Sequence, residues 1–373
     1  MKISKIELAR KISQLKGIVP KKTTINALQG ILVQDGYLIA SNTELTVKAT
    51  LEGIDGDNFI IPAKAFDLIT NLPAGDVSVT CDGDVVTIQM GSIKNKFKTL
   101  PVEQFAYARS DIDTNQEDVI PADELKKAIS HVTYAISENM GNRTMEGMFF
   151  ECKDGKLNLV GLDGHRIAWD SLDMNGSFEM IVPKPAVEKI MQLDMQGNVS
   201  ISHDKYGAVF RTEDYEIYTR LIEGNYVNYR TLFTEGEIQT AVEKKALLGA
   251  INRAKLCGAQ EDKAPVLLNV SGQNINITYK NQTADYTEDI STQIDVGDGL
   301  KIAFDPTLVM ECVKAFECEN IYLTIKYWYS RKAIYWDYNK SFTRKGRIND
   351  MPWMRTTFKK RAEHTNWIWT DML

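Results

Sequence analysis

The stretch Ile61-Pro62-Ala63-Lys64-Ala65-Phe66-Asp67-Leu68-Ile69, with Gly75-Asp76-Val77-Ser78-Val79 behind it, decides the fold, because the chain writes it three times. The second copy is Val182-Pro183-Lys184-Pro185-Ala186-Val187-Glu188-Lys189-Ile190, then Gly197-Asn198-Val199-Ser200-Ile201. The third is Asp305-Pro306-Thr307-Leu308-Val309-Met310-Glu311-Cys312-Val313, then Glu319-Asn320-Ile321-Tyr322-Leu323. Pro62 and Pro183 are 121 residues apart, and Pro183 and Pro306 are 123 apart. Each copy reads as a proline-marked helix start, an amphipathic helix, a turn and a strand. A second helix recurs ahead of each one, at Glu7–Ile12, Glu124–Ile129 and Lys245–Ile251. Strands follow these helices as well: Leu28–Val33 corresponds to Met145–Phe150, and Asp35-Gly36 and Asp154-Gly155 read as hairpin turns. The chain is therefore three copies of a unit of about 120 residues, each made of two helix-plus-strands halves. The expected fold class is α+β, with tandem domains at 1–117, 118–236 and 237–373. Polar stretches at Thr114–Asp118 and Thr234-Glu235-Gly236 mark the boundaries.

Composition narrows the function. The chain has 373 residues with 43% hydrophobic and 25% charged, ordinary for a globular protein of two to three domains. No apolar run is long enough to span a membrane, and MKISKIELARKISQ lacks the apolar core of a secretory signal. Five scattered cysteines without C-x-x-C disfavour a disulfide framework or a zinc ribbon, so a reducing, cytoplasmic setting is expected. Cys312 and Cys318 are expected in the core or at its boundary. The four histidines (His131, His165, His203, His364) are far apart, which gives a metal site little support. Asp111-Ile112-Asp113-Thr114-Asn115 begins like a calcium loop but has Gln116 where Gly is required and Ala122 where the terminal Glu belongs. Phosphate-loop, dinucleotide, nucleophile-elbow and zincin motifs are all missing, so no metal, no cofactor and no catalytic activity are expected.

Net charge is −6, yet the repeated helices are basic. They carry Arg10 and Lys11, then Lys64, Lys126 and Lys127, Lys184 and Lys189, and Lys245 and Arg253. Leu8, Ile12 and Leu15 form an apolar stripe at i, i+4 and i+7 that should face a sheet, leaving the cations on the other side. Alone, that is a solvated helix face. Its recurrence in equivalent helices of an acidic chain points further. Three similar domains form an arc, and a second copy joined head to tail would close it. A ring with cations inside would hold duplex DNA through its phosphates without reading sequence. A repeat-built interaction scaffold that encircles nothing is the alternative, and a metal-independent enzyme a third reading.

At this point the chain resembles the bacterial DNA polymerase III beta subunit family, the sliding clamps, over about residues 1–325. The most specific run is Leu162-Asp163-Gly164-His165-Arg166-Ile167-Ala168, similar to the family's D-G-H-R-[LI]-A. Lys22–Leu28, Leu221–Tyr229 and Met351-Pro352-Trp353-Met354-Arg355 support it. The resemblance implies a DNA clamp fold in a homodimeric, head-to-tail ring around duplex DNA. Its implied partners are the DNA polymerase III alpha subunit, an ATP-driven clamp loader and other proteins carrying a short motif with Gln and Leu/Phe anchors. It also implies a peptide cleft lined by Met145, Leu162, Gly164, His165, Arg166, Ile167 and Phe233, with Met351, Pro352 and Met354 from the C-terminal strand. Leu162, Ile167 and Met145 would supply apolar surface, and His165 and Arg166 hydrogen bonds. Lys22 takes the place of a DNA-contacting basic residue.

From about residue 326 the chain departs from this pattern. Five of the six tryptophans lie there, with eleven basic and four acidic residues, so the segment carries +7 against −13 for the preceding 325. Tyr327-Trp328-Tyr329 and Ala333-Ile334-Tyr335-Trp336 are expected as strands. Trp353 interrupts the family's terminal M-P-M-R. A lineage variation, a phosphate-contacting arm, a poorly ordered extension and a sequence artefact are all open at this point.

Overall fold

A computed structural model describes residues 2–51, 58–107, 112, 118–138, 141–232, 238–258, 265–292, 300–328, 331–337 and 355–359. The calcium-like stretch, apart from Ile112, lies outside the described residues. So do the turn at 234–236, Phe233, Met351, Pro352 and Met354.

One half-unit recurs six times: a short lead strand, a helix, and three further strands. The lead strands are Lys2–Ser4, Phe59–Pro62, Asp118–Pro121, Phe178–Pro183, Ile238–Glu243 and Leu300–Phe304. The helices are α1 (Lys5–Leu15), α2 (Phe66–Asn71), α3 (Ala122–Val132), α4 (Lys184–Gln192), α5 (Lys244–Leu256) and α6 (Pro306–Ala315). Proline starts α4 and α6, where its missing N–H costs nothing, and the Asp305 carboxylate caps α6 by accepting from Thr307 N at 2.7 Å. Leu8, Ile12 and Leu15 are fully buried, as their spacing predicts. At about 1.5–3 kcal/mol for each fully buried side chain, such stripes fix the helices to the sheets. The Asp35-Gly36 and Asp154-Gly155 turns have all four residues at positive φ, the type I′ geometry that suits hairpins.

The chain divides into two compact units. The first comprises residues 1–127, 150–156 and 173–224. One of its sheets runs 2–4, 76–82, 85–90, 93–98; the other runs 59–62, 30–34, 37–41, 45–50, 215–220, 207–211, 198–203, 118–121. The lead strand of each of the first two half-units thus joins the other's sheet. Strands 45–50 and 215–220 pair antiparallel, fusing two four-stranded arrays into one sheet.

The second unit comprises residues 128–149, 157–172 and 225–373. One sheet runs 285–291, 274–280, 266–271, 300–304. Another contains the order 166–173, 355–359, 331–337, 320–328, 238–243. Within the aromatic segment, Tyr327 and Trp328 end the strand Asn320–Trp328 and Ala333–Trp336 lie in the strand Arg331–Asp337, while Tyr329 lies outside the described residues. Arg355–Lys359 lies between Arg331–Asp337 and the strand that opens at Arg166, with Arg166 opposite Phe358 and Trp169 opposite Arg355. Cys312 is buried and Cys318 half-buried, at the core of α5, α6 and their sheet.

Candidate nucleic-acid interface and peptide cleft

The basic helix residues do not share one environment. Lys11 is buried, a correction to its expected place on the DNA side. Its ammonium sits 4.2 Å from the centroid of the Tyr215 ring and 3.6 Å from Asp214 Oδ1, with no hydrogen-bond acceptor. Burial pulls its pKa below the usual lysine value, with Asp214 opposing. The same burial pushes the Tyr215 phenol up to about 12. Lys189 is the second correction. It too is buried, and its Nζ donates to Gln14 O at 3.1 Å and Gln192 Oε1 at 2.8 Å.

The cause is visible at the helix ends, where the last carbonyls have no partner within the helix. Lys189 serves the last turn of α1. Lys126 donates to Leu193 O beyond α4, and Lys244 to Lys314 O and Phe316 O at the end of α6. Lysines placed beside negative helix C-termini become caps before they become DNA contacts. Arg10 pairs with Asp194 at 3.1 Å, and Arg253 holds Glu288 through two hydrogen bonds of 2.9 and 2.5 Å. Lys22, Lys64, Lys127 and Lys245 are exposed, and Lys184 is half-exposed.

The Leu162–Ala168 run is a strand–turn–strand. Gly164 stands at φ +79°, which glycine adopts without strain. Asp163 Oδ1 accepts from His165 N and Arg166 N, both at 2.9 Å, so the turn is held by its own first residue. From the Leu221–Tyr229 run, Tyr226 reaches the strand that leads into this turn. Tyr226 stacks on Phe149 with centroids 4.8 Å apart, and its hydroxyl donates to Val160 O. Burial pushes the Tyr226 phenol well above its ordinary pKa.

Within this motif the expected roles change. Leu162 and Ile167 are buried, so they are core rather than open apolar surface; Met145 is half-buried. His165 is exposed. Arg166 is buried and already engaged. Its Nε donates to Asp163 Oδ2 at 2.9 Å, Nη1 to Leu308 O at 3.1 Å and Nη2 to Tyr134 O at 2.6 Å, and Nη2 lies 2.7 Å from Glu311 Oε2. Burial opposes its charge, but Asp163 and Glu311 outweigh it and raise its pKa. It is thus no free donor to a ligand. Tyr134, Leu308 and Glu311 carry no local sequence signal, since Glu311 is 145 residues from Arg166.

A second missed cluster lies at the fused sheet of the first unit. Lys48 Nζ donates to Glu216 Oε1 at 2.7 Å, and Arg211 Nη2 to Glu216 Oε2 at 3.1 Å. Burial works against the Glu216 charge, but Lys48 and Arg211 together hold its pKa below the usual carboxylate range. Among the described residues no group of three or more His, Cys, Asp or Glu could hold a metal ion. No described helix is long and apolar enough to cross a membrane.

Six copies of one helix-plus-strands half, four of them joined in pairs through their last strands, define the class: a three-domain, repeat-built clamp fold of α+β type. Comparison gives the family. The DNA polymerase III beta subunit models match in all three parts: the N-terminal domain at residues 1–108, the central domain at 119–228 and the C-terminal domain at 230–344. The chain belongs to the DNA polymerase III beta subunit family, whose members are non-catalytic. It is 24% identical over 336 residues to the beta sliding clamp of Escherichia coli (strain K12), covering 86% of this chain and 91% of that one. The beta sliding clamp of Proteus mirabilis is 23% identical over 339 residues, covering 87% and 92%. Among solved structures, a sliding clamp from Bacillus subtilis superposes with a TM-score of 0.85 at 20% identity, over 97% of this chain and 98% of that one.

Proposed function

We propose that two copies of this chain close head to tail into a ring around duplex DNA and tether the replicative polymerase there during DNA replication. The observation that carries this is a set of strand edges. Each half ends on a strand: 45–50, 93–98, 166–173, 215–220, 285–291 and 355–359. Strand 45–50 pairs with 215–220, and 166–173 with 355–359. Among the described residues, 93–98 and 285–291 each stand at the end of a four-stranded sheet. Unpaired edges are a liability, and the same join made once more, between two chains, removes both. Charge supports that pairing. The exposed face of 93–98 carries Lys94, Lys96 and Lys98, and that of 285–291 carries Asp285 and Asp289. Lys48 opposite Glu216 makes such a pair at the join inside the chain. One edge of each kind per chain gives a heterologous contact, which closes after two copies.

Three domains at 1–117, 118–236 and 237–373 are part of this reading, as is a cytoplasmic setting. Exposed Lys22, Lys64, Lys127 and Lys245 are the DNA contacts we propose, with Lys184 beside them. The cleft centred on Gly164 and His165, edged by Met145, Phe233, Met351, Pro352 and Met354, receives the Gln/Leu-rich motifs of the alpha subunit, the clamp loader and other partners. Holding a polymerase this way raises its effective concentration at the template without any chemistry by the clamp. Sedimentation equilibrium tests the ring's composition: a stable dimer, twice the 42.1 kDa chain, is expected, and a monomer at micromolar concentration refutes it.

A further inference from the structure

We infer that Glu311, on α6, is a positioning residue of the peptide cleft, acting through Arg166; the inference rests on the cleft reading above. Arg166 cannot serve a peptide directly, since its side chain is only 5% exposed and Asp163, Tyr134, Leu308 and Glu311 hold its guanidinium. It can set the shape of the turn that does face solvent. Asp163 links the two: Oδ2 takes the Arg166 Nε–H, while Oδ1 takes the backbone N–H of His165 and of Arg166. Where the guanidinium rests therefore fixes the carboxylate that shapes the His165 backbone. Of the four acceptor residues, Asp163 is bound to its own turn, and Tyr134 and Leu308 offer main-chain carbonyls. Glu311 is the one side-chain carboxylate reaching in from another element, and it is 44% exposed, at the boundary with solvent. Its charge also tips the Arg166 site to two carboxylates around one guanidinium, which keeps the cation anchored toward α6. Removing that charge leaves Arg166 paired with Asp163 alone and frees the turn to shift.

The test is fluorescence anisotropy of a labelled synthetic peptide with Gln and Leu/Phe anchors, titrated with full-length dimer. Glu311→Gln keeps size and the half-exposed position, and is expected to weaken binding by about two- to thirtyfold, the range for residues that act without touching the ligand. In an Arg166→Met background, Glu311→Gln should cost nothing more, because its only route is gone. Part of the loss should also persist from about 0.05 to 0.5 M salt, since the buried Arg166 guanidinium meets Glu311 in direct contact at 2.7 Å, closer than salt screens effectively; this reading does not need the Arg166 variant to fold. Unchanged or tighter binding in Glu311→Gln overturns the inference. So does a loss that adds to that of Arg166→Met, or one that vanishes at high salt as a direct Glu–peptide contact would. Wild-type dimer that ignores the peptide altogether overturns the cleft reading itself, a distinct result.

Discussion

Reversing the charge of one strand edge should dissolve the dimer, and reversing the other edge should restore it in a mixture. In a centred antiparallel pairing of 93–98 with 285–291, Lys94 faces Asp289 and Lys98 faces Asp285. An exposed ion pair contributes about 0.2–1 kcal/mol, and a like-charge pair costs a similar amount. Two reversals, Lys94→Glu and Lys98→Glu, thus cost about 1–4 kcal/mol per interface. The closed dimer has two such interfaces, so the total is about 2–8 kcal/mol. At 1.4 kcal/mol per tenfold, the dimer dissociation constant rises at least about thirtyfold, with roughly four-thousandfold near the middle of the range. The low end has a structural reason: Asp285 already pairs with Lys280 at 2.6 Å, and Asp289 accepts from Asn276. The complementary variant, Asp285→Lys with Asp289→Lys, should dissociate equally. Mixed together, the two variants regain a full ring, because one interface is then Glu against Lys and the other is native. Analytical ultracentrifugation of each variant and of the equimolar mixture reads this directly. Dimers of wild-type strength in either variant alone, or monomers in the mixture, refute the assignment of the edges.

Other outcomes follow from single sites. Lys11→Met should leave DNA affinity and its salt dependence unchanged and alter stability by no more than about 1–2 kcal/mol, because an apolar chain replaces a buried cation without acceptors. Lys245→Met should lower the slope of log affinity against log salt by about one, the signature of a lost phosphate contact. His165→Ala should weaken the anchor-motif peptide with little change in thermal unfolding; unchanged affinity removes His165 from the cleft. Glu216 has a lowered folded pKa, so its stabilising contribution is complete above its unfolded pKa and disappears as pH falls through the folded value. Acid titration of stability should therefore be shallower in Glu216→Gln. The Cys152 thiol, pushed up to about 11 by burial and by Asp118, should resist iodoacetamide at pH 8 until the chain unfolds.

The repeat was legible because local chemistry wrote it: prolines at helix starts, I′ turns at Asp35-Gly36 and Asp154-Gly155, and stripes such as Leu8–Ile12–Leu15 that only a helix can bury. Aromatic residues placed the strands at Trp328 and Trp336 even where composition shifts. What stayed hidden depended on neighbours distant in sequence. Lys11 and Lys189 look like surface lysines because nothing near them announces Tyr215, Asp214 or the end of α1. Lys126 and Lys244 show why a basic helix face is a poor proxy for DNA contact: an orphan carbonyl on the adjacent helix competes for each ammonium. Arg166 in its D-G-H-R run reads as a donor, but its acceptors at Tyr134, Leu308 and Glu311 come from elements that only the fold brings close. The open edges were equally invisible, since a strand's unpaired side is a property of the sheet and not of its own residues.

Topological linkage is the heart of the proposal, and a loading assay on nicked circular duplex tests it most directly. Protein loaded onto the circle should remain bound through gel filtration and be released when a single restriction cut makes ends. Retention on the cut, unblocked linear molecule would show that it grips DNA without encircling it.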